Sequence, residues 1–445
     1  MGMGYGTGTA ILVLACLLAA AGRTSAAPSA KAAKPQMGIA CFGREAIDYR
    51  RPGKPPVKAI FGEPVNVAVA PEPVGWGFYQ FPTITRWDDG RLFVTFSVSQ
   101  DSIKCYGSET AGMVSHDNGK TWLPPTGKQG ISGLVLPNGD RIVITTPKAV
   151  PIADLKLPKP VGSASDTYNS KAPLLYRLQD LPEDLQTVRM NRMAKGSSEW
   201  SPEQAKLIDP QALRYSLIGL FPILFWGDVR VAPDGSLLAG IYPGYMTRED
   251  GTADPKDHTF FYRSTDNGHT WVIQGRILYQ PDLKADAKGN ERMGYTEPAF
   301  EILSDGSLFC VMRTSDGAGI GPMYASRSTD LGKTWSKPRA FTQNGVLPRL
   351  LRLDNGVLVL TSGRHGVQVR FSTDGKGESW TDPFEMVPMT NGGDPSFGAD
   401  SCGYTSLLAT GPDSFIIAYS HFKHRTKDGP RKAILIREIT VQKAK

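Results

Sequence analysis

The stretch STDNGHTW, Ser264 to Trp271, has close copies in SHDNGKTW at Ser115 to Trp122 and STDLGKTW at Ser328 to Trp335. A looser copy, STDGKGESW, runs from Ser372 to Trp380. Each sets a Ser and an Asp two residues apart ahead of a Gly and a closing Trp. Short Asp and Ser side chains bond the amides of a tight turn, and Gly takes its positive-φ position. Tryptophan leaving such a turn belongs in a core. The same residues serve in several places, so Asp117, Asp266 and Asp330 read as turn formers, not catalysts.

A second repeat is interleaved with the first. Apolar runs flank an Asp-Gly or Asn-Gly turn in FPTITRWDDGRLFVTFS (around Gly90), GISGLVLPNGDRIVITT (Gly139) and WGDVRVAPDGSLLAGIY (Gly235). The pattern returns in EPAFEILSDGSLFCVMR (Gly306), LPRLLRLDNGVLVLTSGR (Gly356) and GYTSLLATGPDSFIIAYS (around Asp413). These are six hairpin signals. Those at 90, 235, 306 and 356 are each followed by a box, and the one at 139 by KGSSEW, a decayed box without its Asp. The expectation is all-β: a six-bladed β-propeller over residues 59–445, with a box between the third and fourth strands of a blade. AILIREITVQ (Ala433 to Gln442) and VNVAVA near Val65 would close the ring with both chain ends. One region, about 147–220, breaks the period. Its segment DLPEDLQTVRMNRMAKG reads as helical, with Asp180 and Glu183 as a capping box and Gly196 as the stop. A partly helical insertion in blade two, projecting over one rim, is expected.

The 445 residues carry a net charge of +7 with no basic run, which argues against a nucleic-acid partner. Residues 1–26 read as a signal peptide: an apolar run from Ala10 to Ala21, then small residues before a cleavage site. Export to the periplasm or medium follows, with lipid attachment at Cys16 as the lesser alternative. Residues 27–58 form a lead segment, and no other stretch is long enough to cross a bilayer. Cys41, Cys105, Cys310 and Cys402 are left to pair or to be buried as small apolar residues. Neither they nor His421 and His424 show metal-ligand spacing. Gly317 to Pro322, GAGIGP, lacks the strand and helix of a nucleotide loop.

In each hairpin the ends away from the turn converge around the axis, where a propeller builds its site. Nine residues back from each turn lie Phe81, Gly130, Trp226, Glu297, Leu347 and Tyr404. Seven or eight forward lie Ser97, Thr146, Tyr242, Arg313, Arg364 and His421. The boxes, the hairpins and TEPAFEILSDGSLFCVMRTSDG resemble the sialidase (neuraminidase) superfamily over roughly Gly75 to Gln442. The resemblance implies Tyr404 as nucleophile, Glu297 as its base, and Arg313 and Arg364 in a clamp for a substrate carboxylate. A neutral phenol avoids the repulsion an attacking carboxylate would meet at an anionic sugar, and Glu297 with the arginines would favour the phenolate. Guanidinium forks suit carboxylates better than ammonium groups do.

One clamp position departs from the family. Tyr79-Gln80-Phe81-Pro82 puts Gln80 where the family has its first arginine, and Arg349 is a candidate to compensate. Asp101, with Glu109 as runner-up, is the expected acid/base, and Phe81 and Trp226 are candidate sugar-stacking surfaces. The expected activity is that of an exo-α-sialidase-like retaining glycosidase on a glycan or glycoconjugate, needing no cofactor or metal. Two alternatives stand beside it. One is a glycan-binding propeller without turnover. The other is a glycosidase using two carboxylates some 5–9 Å apart, with Tyr404 pointing elsewhere.

Overall fold

The computed structural model describes residues 38–101, 110–127, 130–146, 148–165, 171–222, 226–315, 321–390 and 399–444. The expected leader, Cys16, Cys105 and Glu109 lie outside them. The chain is an all-β propeller built on six inner hairpins. Gln80–Arg86 pairs with Leu92–Ser97, Leu134–Val135 with Arg141–Ile144, and Trp226–Val231 with Leu237–Met246. Gly294–Ile302 pairs with Leu308–Ser315, Val346–Arg352 with Leu358–Gly363, and Thr405–Gly411 with Ser414–Thr426. Further antiparallel strands continue outward, as Tyr324–Ser328 and Arg339–Ala340 do beyond the fourth hairpin. Strands covered on both faces lose the alternation of a half-exposed sheet, and Leu358–Gly363 is buried at every position.

Two joints depart from simple repetition. Ser201–Ile208, at the edge of the second unit, pairs in parallel with Thr270–Ile277 of the third, so the two share one continuous sheet. The last strand, Gly429–Lys443, receives Val65–Val69 along its first half and Val57–Phe61 along its second. Glu45–Tyr49 adds to Val57–Phe61, and Ile39–Ala40 pairs in parallel with Phe384–Glu385. Ile39–Ala40, Glu45–Tyr49 and the start of Val57–Phe61, all before residue 59, are therefore sheet members.

The boxes hold their turns by a repeated set of bonds. In the Ser328 box, Ser328 Oγ donates to Asp330 Oδ1 (2.8 Å) and accepts from Gly332 N (2.8 Å). Asp330 also accepts from Thr334 N and Oγ1, and Trp335 Nε1 donates to Gly332 O. The Ser115 box repeats every one of these contacts. Trp335 then packs on Phe261 of the preceding unit (4.3 Å between centroids), and Trp380 on Phe309 (6.0 Å). Ser115 stands opposite Leu92 beside the Gly90 turn, so the boxes sit at the hairpin-turn end. Thr334 hydrogen bonds hold the Asp330 carboxyl down at about 2. The stabilisation this gives is complete above the ordinary carboxylate range near 4 and lost as pH falls through about 2. Asp330→Asn is therefore expected to lower the urea midpoint at pH 5 and to converge on the parent toward pH 2, with activity at neutral pH retained.

Among the described residues the insertion carries no α-helix. Leu178–Asp180 and Glu183–Leu185 are single 3₁₀ turns, and no side chain caps either. Thr187–Met193 is a strand, paired with both Arg141–Ile144 and Ser201–Ile208. Pro182 interrupts the expected helix, and Val188 and Met190 are buried on one face of a strand that pairs with its neighbours on both sides. The remainder forms short strands: Leu174–Arg177 pairs with Ala212–Ser216, which extends the far end of Leu237–Met246. That end lies opposite the Gly235 turn, so the insertion adds to the rim of the mouth. Cys41, Cys310 and Cys402 are buried and free, in the manner of small apolar residues.

Candidate active site

Opposite the turns, the first strand of several hairpins carries the same kink. Phe81, Glu297 and Leu347 have φ of 56°, 49° and 39°. The ladder register shifts across each of them, between Gln80 and Thr83, Thr296 and Ala299, and Val346 and Arg349. These are bulges that redirect a side chain, and each non-glycine residue held left-handed costs about 1–3 kcal/mol. In the sixth hairpin Gly403 (φ 79°) takes this role just before Tyr404. A Cβ there would lie 3.0 Å from Gly363 Cα and Arg364 N, so bare backbone lets the fifth and sixth units meet.

The kinks bring four side chains together. The Tyr404 hydroxyl donates to Glu297 Oε1. Arg313 Nη1 donates to the same Oε1 (2.7 Å) and lies 3.3 Å from the Tyr404 oxygen. Glu297 Oε2 accepts from Leu347 N (2.8 Å), so both carboxylate oxygens are held. Arg364 places its guanidinium carbon 6.0 Å from the Tyr404 ring centre and donates Nε to Cys402 O. Phe81 meets the other side of the cluster, edge to face with Tyr404 at 5.0 Å. Glu297, Arg313 and Arg364 are buried, and Tyr404 is half-buried.

Burial and neighbouring charges shift Tyr404, Arg313 and Arg364. Burial and the Glu297 charge push the Tyr404 phenol up, and Arg313 and Arg364 pull it back only in part. The expectation of a favoured phenolate gives way to a protonated phenol, its hydrogen already aimed at Glu297. Burial would lower Arg313, but Glu297 overrides it and holds this guanidinium above its ordinary value. Arg364 is lowered by burial and then by the like charge of Arg313.

The other candidates fall in different places. Gln80 is fully buried; with its amide oriented for hydrogen bonding, its oxygen accepts from Gly77 N (3.1 Å) and Lys432 Nζ (2.9 Å). Arg349 reaches Asp228 of the third hairpin (3.0 Å), an ion pair across converging inner strands. Asp101 is exposed, and its Oδ2 accepts from Trp76 Nε1 (2.8 Å). Trp226 is described in its backbone alone, paired with Tyr242. One residue escaped the sequence reading. Trp76 lies on the loop before the first strand, where no repeat marks it. Among the described residues no group of His, Cys, Asp and Glu is arranged to hold a metal.

Similarity to known proteins agrees with this architecture. A solved protein of unknown function from Dyadobacter fermentans superposes with a TM-score of 0.57 at 17% identity, over 88% of this chain and all of that one. A Hadza microbial sialidase gives 0.46 at 15% identity, over 82% of this chain and 65% of its own. An α-L-arabinanase of Penicillium chrysogenum, solved with arabinobiose, gives 0.45 at 16%, over 84% and 98%. No curated protein matches the chain. Residues 171–416 match the model of the BNR repeat-like domain, a span of more than half the sequence that includes three of the four boxes. The chain belongs to the BNR repeat-like domain family, the Asp-box propellers that its repeats resemble.

Proposed function

We propose that the protein is an exported retaining glycoside hydrolase that removes a terminal acidic sugar of the sialic acid class, with Tyr404 as nucleophile. The observation that carries this reading is the hydrogen bond from the Tyr404 hydroxyl to Glu297 beside two buried arginines. A binding module has no use for a base under a phenol. A two-carboxylate glycosidase requires Tyr404 to point away from Glu297, the opposite of what is found.

In the first step the Tyr404 oxygen attacks the anomeric carbon while its proton passes to Glu297. The glycosidic C–O bond breaks, and Asp101 protonates the departing oxygen. In the second step Asp101, now a carboxylate, takes a proton from water, which attacks the same carbon. The Tyr404–carbon bond breaks, and the phenolate recovers its proton from Glu297. Two displacements retain configuration. Arg313 and Arg364 stabilise both the substrate carboxylate and the phenolate as it develops.

Gln80 in place of an arginine removes one charge-assisted pair, which contributes on the order of 1.5–3 kcal/mol. Weaker ground-state binding than three arginines would give is therefore expected. The test is release of a fluorophore from an α-sialoside, a related 2-keto acid glycoside, uronides, arabinosides and neutral glycosides. Turnover is expected only with the 2-keto acid sugars. Glycan binding without turnover of any member would overturn the enzymatic reading in favour of a lectin-like propeller.

A further inference from the structure

The loop ahead of the first inner strand is tied into the site from several sides. Trp76 Nε1 donates to Asp101 Oδ2, and Phe81 and Phe422 meet the indole edge-on at 6.4 and 6.0 Å. Arg364 and Lys432 both approach the ring, at 5.7 and 5.9 Å from its centre. The glycines on either side are fastened as well. Lys432 Nζ donates to Gly75 O (2.7 Å), and the Gln80 amide, oriented for hydrogen bonding, accepts through its oxygen from Gly77 N and from Lys432. Gly77 has φ of 99°, and a Cβ on it would stand 2.2 Å from Asp101 N and 2.3 Å from Ser99 O. The Trp76 loop is thus pressed directly on the Asp101 loop, in contact that only glycine permits.

We propose that Trp76 is a positioning residue for Asp101 and forms the aromatic wall on the leaving-group side of the pocket, braced by Gln80 and Lys432. This rests on the glycosidase reading, in which Asp101 is the acid. An exposed aspartate on a loop samples several rotamers, and a bond from an indole anchored by two aromatic rings selects one. The indole N–H is a donor only. Held on Oδ2, it leaves Oδ1 as the oxygen that carries and delivers the proton. The group that hands a proton to the departing oxygen must lie beside the leaving group, so the ring bound to it lies there too. In this arrangement Gln80 no longer touches the substrate: the position of the family's first arginine supports an aromatic surface from behind.

The experiment compares two glycosides of the same acidic sugar, one with an activated aryl leaving group and one with a sugar leaving group. Trp76→Phe keeps a ring and removes the donor. It is expected to lower kcat/KM about 30-fold for the sugar leaving group, a part of the 10²–10⁴ that general acid catalysis supplies. For the aryl glycoside, which departs without a proton, the change stays within about threefold. Trp76→Phe combined with Asp101→Asn should be no slower than Asp101→Asn alone, because the two act as one unit. Equal losses on both glycosides, or losses that multiply in the double variant, overturn the assignment of Trp76. Failure of the parent enzyme on both glycosides overturns the glycosidase reading instead, and Trp76 with it.

Discussion

Tyr404→Phe is expected to lower kcat on an activated α-sialoside by on the order of 10³-fold or more, since under the proposed mechanism it removes the atom that would form the covalent intermediate. The ring stays, so its edge contact with Phe81 and its place beside Arg364 survive. The lost hydroxyl leaves Glu297 with Arg313 and Leu347 N as partners, and the carboxylate remains satisfied. Folding stability should change by no more than about 1–3 kcal/mol. Intact-mass spectrometry with a slowly hydrolysed fluorinated sugar offers a second readout. The parent should gain the mass of one glycosyl group and Tyr404→Phe none. Undiminished turnover in the variant would remove Tyr404 from the chemistry altogether.

Arg313→Met carries the second large effect, and it falls on stability as well as rate. Arg313 and Glu297 form a buried pair at 2.7 Å. Deleting the cation leaves a buried carboxylate charge without its ion-pair partner, at a cost of about 3–5 kcal/mol. Replacing both partners, as Arg313→Met with Glu297→Leu, should recover much of that loss, because two apolar side chains leave no charge stranded. Thermal melts of the parent, the single variant and the double variant test this. Both variants should be inactive, so stability and activity part company in the double. A single variant as stable as the parent would mean that the pair is open to water.

Local chemistry carried most of the fold. Asp-Gly and Asn-Gly turns between apolar runs fix hairpins over a few residues, and the boxes mark the outer turns by side chains that bond within five positions. Residue counting from the turns placed Glu297, Tyr404, Arg313 and Arg364 at one mouth because each blade is a ruler of nearly constant length. The same counting failed wherever a partner came from outside the repeat. Asp180 and Glu183 look like a helix start in isolation, but Thr187–Met193 is claimed by strands that flank it in space. Arg349 is bound by Asp228, 121 positions away. Trp76 and Lys432 meet only when the two ends of the chain lie together, and no periodicity leads to either. The direction of the phenol's shift is not legible in sequence either: the charges around Tyr404 can be read there, but not the loss of water that, with Glu297, pushes it up.

The seam between the first and last strands has a consequence for biosynthesis. Val57–Phe61 and Val65–Val69 find their ladder partner in Gly429–Lys443, far later in the sequence. Through most of translation the nascent polypeptide therefore carries an open β-edge at its front, the kind of edge that recruits other chains. Tyr404 also arrives late, so its bond to Glu297 cannot form on a product truncated before it. A premature stop before residue 429 should yield aggregation-prone, inactive material, however well its earlier hairpins fold.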